Sequence, residues 1–238
     1  MRNTWLIAGK EFRSHLTSPT AYAVVGIFLL LTGFFFTDYL TRTQFGDTSI
    51  RGFVDQGSML LLLFAAVLTM RLMAEEKKLG TWELLLTAPV RDVEVVLGKF
   101  LGTLAILGVM LGLTLYYPLL LMIFGDPDIG PVVTSYLGLF LLGSAALAIG
   151  LFASSLTANQ IVAAVVSGAT LFALWFVGMT ASYLPEAVGN VVNSISLSSN
   201  FQGFPLGMID TRAVVYYLSI IVLFLFLTIR SLETSRWN

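Results

Sequence analysis

Charge in this chain is gathered into short clusters, and the stretches between them are too long and too apolar for a water-soluble core. Six stretches lack Asp, Glu, Lys and Arg: Ser14 to Thr37, Gln56 to Met70, Phe100 to Gly125, Ile129 to Pro185, Ala187 to Ile209 and Ala213 to Ile229. A Lys, Arg or Asp at mid-bilayer costs about 2.5–3.5 kcal/mol, so such gaps mark where helices cross. Hydrophobic residues make up 57% of the chain and charged residues 11%. Globular proteins carry about 45–50% and about 25%, and the surplus here requires lipid as the solvent.

A crossing helix needs roughly 20 apolar residues. The gap from Ile129 to Pro185 therefore holds two crossings, broken by polar Ser154, Ser155, Thr157, Asn159 and Gln160. The shortest gaps are extended by Arg71 and Arg230, whose long side chains reach the headgroup level. Ala187 to Ile209 is uncharged but not apolar, with three Asn, one Gln, four Ser, three Gly and one Pro. It is excluded as a crossing. Val188, Val191, Val192 and Ile195 recur there at helical spacing, which predicts short re-entrant or interfacial helices over 186–210. The expected spans are Tyr22–Thr37, Gly57–Met70, one from Gly98, Val133–Ala153, Ile161–Tyr183 and Ala213–Ile229. Pro118 predicts a kink in the third, and the run from Gly125 to Pro131 an outer turn.

Six crossings put both termini and the charged segment Arg71–Lys99 on one side. That side holds Arg2, Lys10, Arg13, Arg71, Lys77, Lys78, Arg91, Lys99, Arg230 and Arg236, ten of the 13 basic residues. Arg42, Arg51 and Arg212 fall on the other. By the positive-inside rule the richer side is the cytoplasm.

Within residues 71–99, Gly80 after Lys77–Lys78 reads as a helix stop, Thr81 as the cap of a new short helix and Pro89 as its end. Trp82, Leu85 and Leu86 form an apolar edge suited to a groove in a partner protein. Residues 1–19 predict an interfacial helix with Trp5, Ala8, Phe12 and Leu16 on its apolar face and Lys10, Arg13 and Ser14 turned away. The one histidine, His15, is expected at headgroup level. Asp38 to Asp55 is expected as an external loop with charges of alternating sign; Asp38 and Arg42 stand four apart, as a helical surface pair would, but a plain solvated face is the favoured reading. Gly98/Gly102 and Gly108/Gly112 are small-residue pairs that let helix backbones approach closely.

Several chemistries are excluded. The expected span interiors hold no ionisable side chain, which argues against an ion-coupled carrier. One surface histidine and no cysteine leave no metal centre, and Ser144, Ser167 and Ser219 lack a base. No P-loop occurs, because Gly9–Lys10 and Gly98–Lys99 lack the earlier glycine and the following hydroxyl. No basic tract suggests nucleic acid. If the chain performs work, the energy comes from elsewhere.

Glu76-x-x-x-Gly80-Thr81-x-Glu83-x-Leu85-x-x-x-Pro89, followed by Gly98-Lys99 and preceded by Lys10-Glu11-Phe12 and Ser18-Pro19, resembles the cytoplasmic loop and amino terminus of ABC-2 type permeases. The resemblance covers the whole chain. Gly207 to Arg212, Tyr216-Tyr217-Leu218 and Arg230 to Glu233 are similar to the subgroup named for bacterial gliding motility. It implies a single all-α integral membrane domain over 1–238 in a bacterial inner membrane, without enzyme activity of its own. It also implies a cytoplasmic ATPase partner that binds ATP and Mg, a second permease copy or a related permease, and contact with membrane lipid. By the same resemblance Glu76, Gly80, Thr81, Trp82, Glu83, Leu85, Leu86 and Pro89 carry coupling to the ATPase, and Phe201 and Phe204 line the outer exit. The function implied is ATP-driven transport, with export the expected direction. A non-transporting scaffold or an ATP-independent channel is the alternative.

Overall fold

The computed structural model describes residues 2–42, 50–80, 90–125 and 127–235. All regular structure among them is helical. In chain order the helices are α1 (Arg2–Thr17), α2 (Pro19–Arg42), α3 (Arg51–Thr69), α4 (Ala74–Lys78), α5 (Asp92–Thr114), α6 (Tyr116–Phe124), α7 (Ile129–Ser155), α8 (Gln160–Thr180), α9 (Glu186–Ile195), α10 (Leu197–Phe201) and α11 (Thr211–Ser235). Single 3₁₀ turns occupy Ala181–Tyr183 and Phe204–Leu206. Six helical stretches are long and apolar enough to cross a membrane: Pro19–Arg42, Arg51–Lys78, Asp92–Phe124, Ile129–Ser155, Gln160–Thr180 and Thr211–Thr234. The expected six-crossing all-α architecture holds.

Several of the observed helices run past the charges that bound the apolar gaps. Polar residues at a span end cost little once they reach the headgroups, so the helix continues past the hydrocarbon. Helix α2 runs on to Arg42, where Arg42 Nε and Asp38 Oδ2 pair at 2.9 Å. Helix α3 begins at Arg51, inside the segment expected to be an outer loop. The segment 71–99 is likewise helical at both ends. Helix α5 starts at Asp92, with Glu94 accepting from the Arg91 backbone N–H at 3.3 Å. The outer turn is shorter than expected too. Asp128 caps α7 by accepting from Gly130 N–H at 3.0 Å, and Pro131 sits in a first turn that needs no N–H from it. The kink foreseen at Pro118 falls at Leu115, between α5 and α6.

Helix α7 is the centre of the bundle: 83% of its apolar stretch is buried, against 22% for α2, α8 and α11. The cause is its run of small residues, Gly143-Ser-Ala-Ala-Leu-Ala-Ile-Gly150, all of them buried. Small side chains let neighbouring backbones approach closely where lipid offers no hydrophobic drive. A Cβ on Gly150 would lie 2.0 Å from Thr69 Oγ1, and one on Gly143 2.8 Å from Leu107. Gly108 and Gly112 face open space instead. Ser144, Ser167 and Ser219 donate to carbonyls of their own helices, at Phe140, Ala164 and Val215.

Candidate functional site: a charged node at one end of the bundle

The end of the bundle that carries Gly80 and Arg91 is held by charge. Lys99, two turns into α5, is 4% exposed. Its ammonium lies 2.9 Å from Glu76 Oε1 of α4 and 3.5 Å from Glu11 Oε2 of α1. A buried lysine keeps its charge only beside carboxylates that replace the water it has lost. Three elements distant in sequence therefore meet at one cation. His15 Nε2 stands 3.9 Å from Glu11 Oε1. Burial holds the His15 pKa below its usual value; Arg71 and Lys99 push the same way, while Glu11 opposes them. His15 is packed into the node, because α1 turns that side chain toward Glu11, Arg71 and Lys99.

The same node positions helix α1. It lies against α5, and a Cβ on Gly98 or Gly102 would meet Ile7 and Thr4 O, or Glu11 and Ala8 O, at 2.7–3.1 Å. The covered face is thus Thr4, Ile7, Ala8 and Glu11, while Trp5 is 71% exposed and Leu16 is exposed as well. Glu11 pairs with Lys99 on that covered face, and α1 docks there on two glycines. Asn3 adds a side-chain hydrogen bond to Glu94 Oε2 at 3.2 Å.

The arm that leads from α3 into α4 is anchored by a serine. The α-helix stops at Thr69, and Met70–Met73 form turns. Ser154 of α7, fully buried, accepts from the Met73 and Ala74 N–H groups at 3.1 Å each and donates to Met70 O at 3.2 Å. One hydroxyl thereby fills its donor and acceptor capacity on the backbone groups freed by the break. Lys77 donates to Ser155 O, and Arg71 bonds Glu75 at 3.2 Å and Thr20 Oγ1 at 2.6 Å. After α4, Gly80 takes φ +70°, the left-handed conformation that ends a helix without steric cost. Of the residues expected to couple to a partner, Glu76 belongs to the node and Gly80 to the end of the arm. Thr81, Trp82, Glu83, Leu85, Leu86 and Pro89 lie outside the described residues.

At the opposite end the layer packed around Phe204 is uncharged. Phe204 is 1% exposed and packs on Gly138, where a Cβ would sit 2.6 Å from its ring; Phe201 stacks between Trp175 and Phe204 with centroids 6.1 Å from each. Hydroxyls tie this irregular segment to its neighbours: Thr134 donates to Phe204 O at 2.7 Å and Tyr217 to Leu197 O at 2.9 Å, while Ser198 of the segment donates to Trp175 O of α8 at 2.7 Å. Phe201, Trp175, Asp55, Asn193 and Gln202 line a cavity of about 590 Å³ beside them. The exposed side of α9 carries Val188, Val191 and Ile195, the stripe read from the sequence.

Sequence reasoning placed Glu11, Glu76 and Lys99 within motifs but did not bring them together. Lys99, with Phe100 opening an apolar run, looked like the last member of a loop. Its position two turns inside a helix that begins at Asp92 was the available signal. Ser154 was read only as part of a polar break.

No curated protein matches this chain. The family described as ABC-2 family transporter protein matches over residues 5–235. With six apolar helices, a broken third crossing, short helices before the last and nearly its whole length matched, the chain belongs to the ABC-2 transporter family of multi-pass membrane proteins.

Proposed function

We propose that this chain is the permease subunit of an ATP-driven exporter in a bacterial inner membrane, and that the node joins a separate ATPase subunit to the membrane helices. The observation that carries this is the buried Lys99, shared between α1 and α4 at the end where residues 81–89 emerge. A partner that moves that segment moves α4. Through Glu76–Lys99–Glu11 it also moves α5 and α1, and through Ser154 it moves α7. Family membership supports an ABC ATPase as the partner. The excess of Lys and Arg at this end supports a cytoplasmic face.

Binding and hydrolysis of ATP in the partner rock two permease copies, or this chain and a related permease, against each other. Coupling is carried by Glu76, Gly80, Thr81, Trp82, Glu83, Leu85, Leu86 and Pro89. At the outer end Phe201 and Phe204 serve as the gate: Phe201 borders the 590 Å³ cavity, and Phe204 backs it in the groove over Gly138. The chain and its ATPase, co-purified and reconstituted, test the proposal. Trp82→Ala and Leu85→Ala should each lower substrate-stimulated ATP hydrolysis while membrane insertion is retained. Unchanged stimulation in both variants would remove the coupling assignment.

A further inference from the structure

We propose that the ends of α4, α7 and α11 form a site for the phosphate headgroup of an anionic membrane lipid, bound as a structural regulator and not as cargo. Its place on the cytoplasmic leaflet rests on the sidedness proposed above; its chemistry does not. A cavity of about 410 Å³ opens there, with Lys77 and Arg230 as its two charged linings and Ser155, Ser231 and Thr234 as hydroxyl neighbours. Phe152, Leu156 and Leu227 supply the apolar remainder, and Leu156 is exposed. A basic rim over an apolar wall at a helix end is the arrangement that holds a phosphate while an acyl chain runs along the wall.

The two cations are fixed in place by the protein. Lys77 donates to Ser155 O, which sets its ammonium at the cavity edge. Arg230 pairs with Glu233 at 2.7 Å and lies over the half-exposed Phe226 ring at 5.1 Å. A guanidinium has five N–H donors, so the Glu233 contact leaves capacity for phosphate oxygens. Glu76, the carboxylate next to Lys77, is turned to Lys99 instead. Among the described lining residues there is no acidic side chain to repel an anion. An occupied site ties α11 to the short arm that ends at Gly80, so lipid binding steadies the element through which the partner acts.

The full-length chain in detergent, titrated with short-chain phosphatidylglycerol, phosphatidylcholine and inorganic phosphate, tests this without reference to sidedness. Phosphatidylglycerol should bind and phosphatidylcholine should not. Lys77→Gln and Arg230→Gln should each weaken binding about fivefold, as loss of one surface cation does. Arg230→Lys, which keeps the charge, should retain affinity, and Arg42→Gln at the other end should leave it unchanged. Wild-type affinity in both glutamine variants would overturn the proposal, as would equal binding of the zwitterionic lipid. Full displacement by inorganic phosphate would make this a free-anion site and overturn the lipid assignment. Should cysteine labelling put α4 on the outer face while these affinities hold, the sidedness fails and the site stands.

Discussion

The two ends of this bundle solve the same problem with different chemistry. Each must satisfy backbone and side-chain polar groups where a helix is interrupted. At the Gly80 end one buried ammonium is shared by Glu11 and Glu76, and one buried hydroxyl clamps a helix break. At the Phe204 end neutral hydroxyls of Thr134, Tyr217 and Ser198 each cover one carbonyl, over a layer of aromatic rings. The neutral arrangement is a set of separate bonds that can be lost one at a time. The charged one is a single unit, because removing either sign strands the other in a poor solvent. A unit of that kind transmits displacement, whereas separate bonds yield locally.

The contrast is broken most severely at Lys99. Lys99→Ala should cost about 3–5 kcal/mol, since it leaves two carboxylates without their cation. Adding Glu11→Gln and Glu76→Gln to it should recover much of that loss. Thermal unfolding of the purified chain reads both. Ser154→Ala comes next, at about 1–3 kcal/mol, since it removes the one hydroxyl that two N–H groups and a carbonyl share. Native-state hydrogen exchange at Met73 and Ala74 should rise sharply.

At the neutral end Tyr217→Phe removes one buried hydrogen bond and should cost about 1–3 kcal/mol, with exchange elsewhere unchanged. Spread of the effect to α4 would erase the distinction between the ends. The smallest expected effect is a pH dependence. Burial holds the His15 pKa below its usual value in the folded chain. The unfolded chain therefore takes up a proton first as pH falls. Stability is unaffected by this group at neutral pH and declines below about pH 6.5, until the folded form is protonated as well. His15→Gln should flatten that decline in pH-resolved melting curves.

Much of the fold was legible because lipid punishes charge so heavily. Gaps between charges located all six crossings, and the amide- and serine-rich composition of 187–209 excluded a seventh. Boundaries were less legible. A charge-free gap marks the hydrocarbon, while the helix runs on through Asp38 to Arg42 or starts early at Arg51 and Asp92. The node was hidden for a different reason. Glu11, Glu76 and Lys99 are separated by tens of residues, and only the approach of α1 to Gly98 and Gly102 brings them together. Periodicity marked the apolar stripe of α1 but not the Glu11 side that docks, since apolar spacing carries no record of a buried ion pair.

The most direct test of the node's role is a crosslink from either end of the bundle to the partner. The native chain has no cysteine, so single cysteines at Leu79 and Tyr183, both exposed, report on opposite ends without background. With a short bifunctional reagent and the co-expressed ATPase, the Leu79→Cys chain should crosslink and the Tyr183→Cys chain should not. A crosslink from Tyr183→Cys alone, or none from Leu79→Cys while the complex stays intact, would contradict the account.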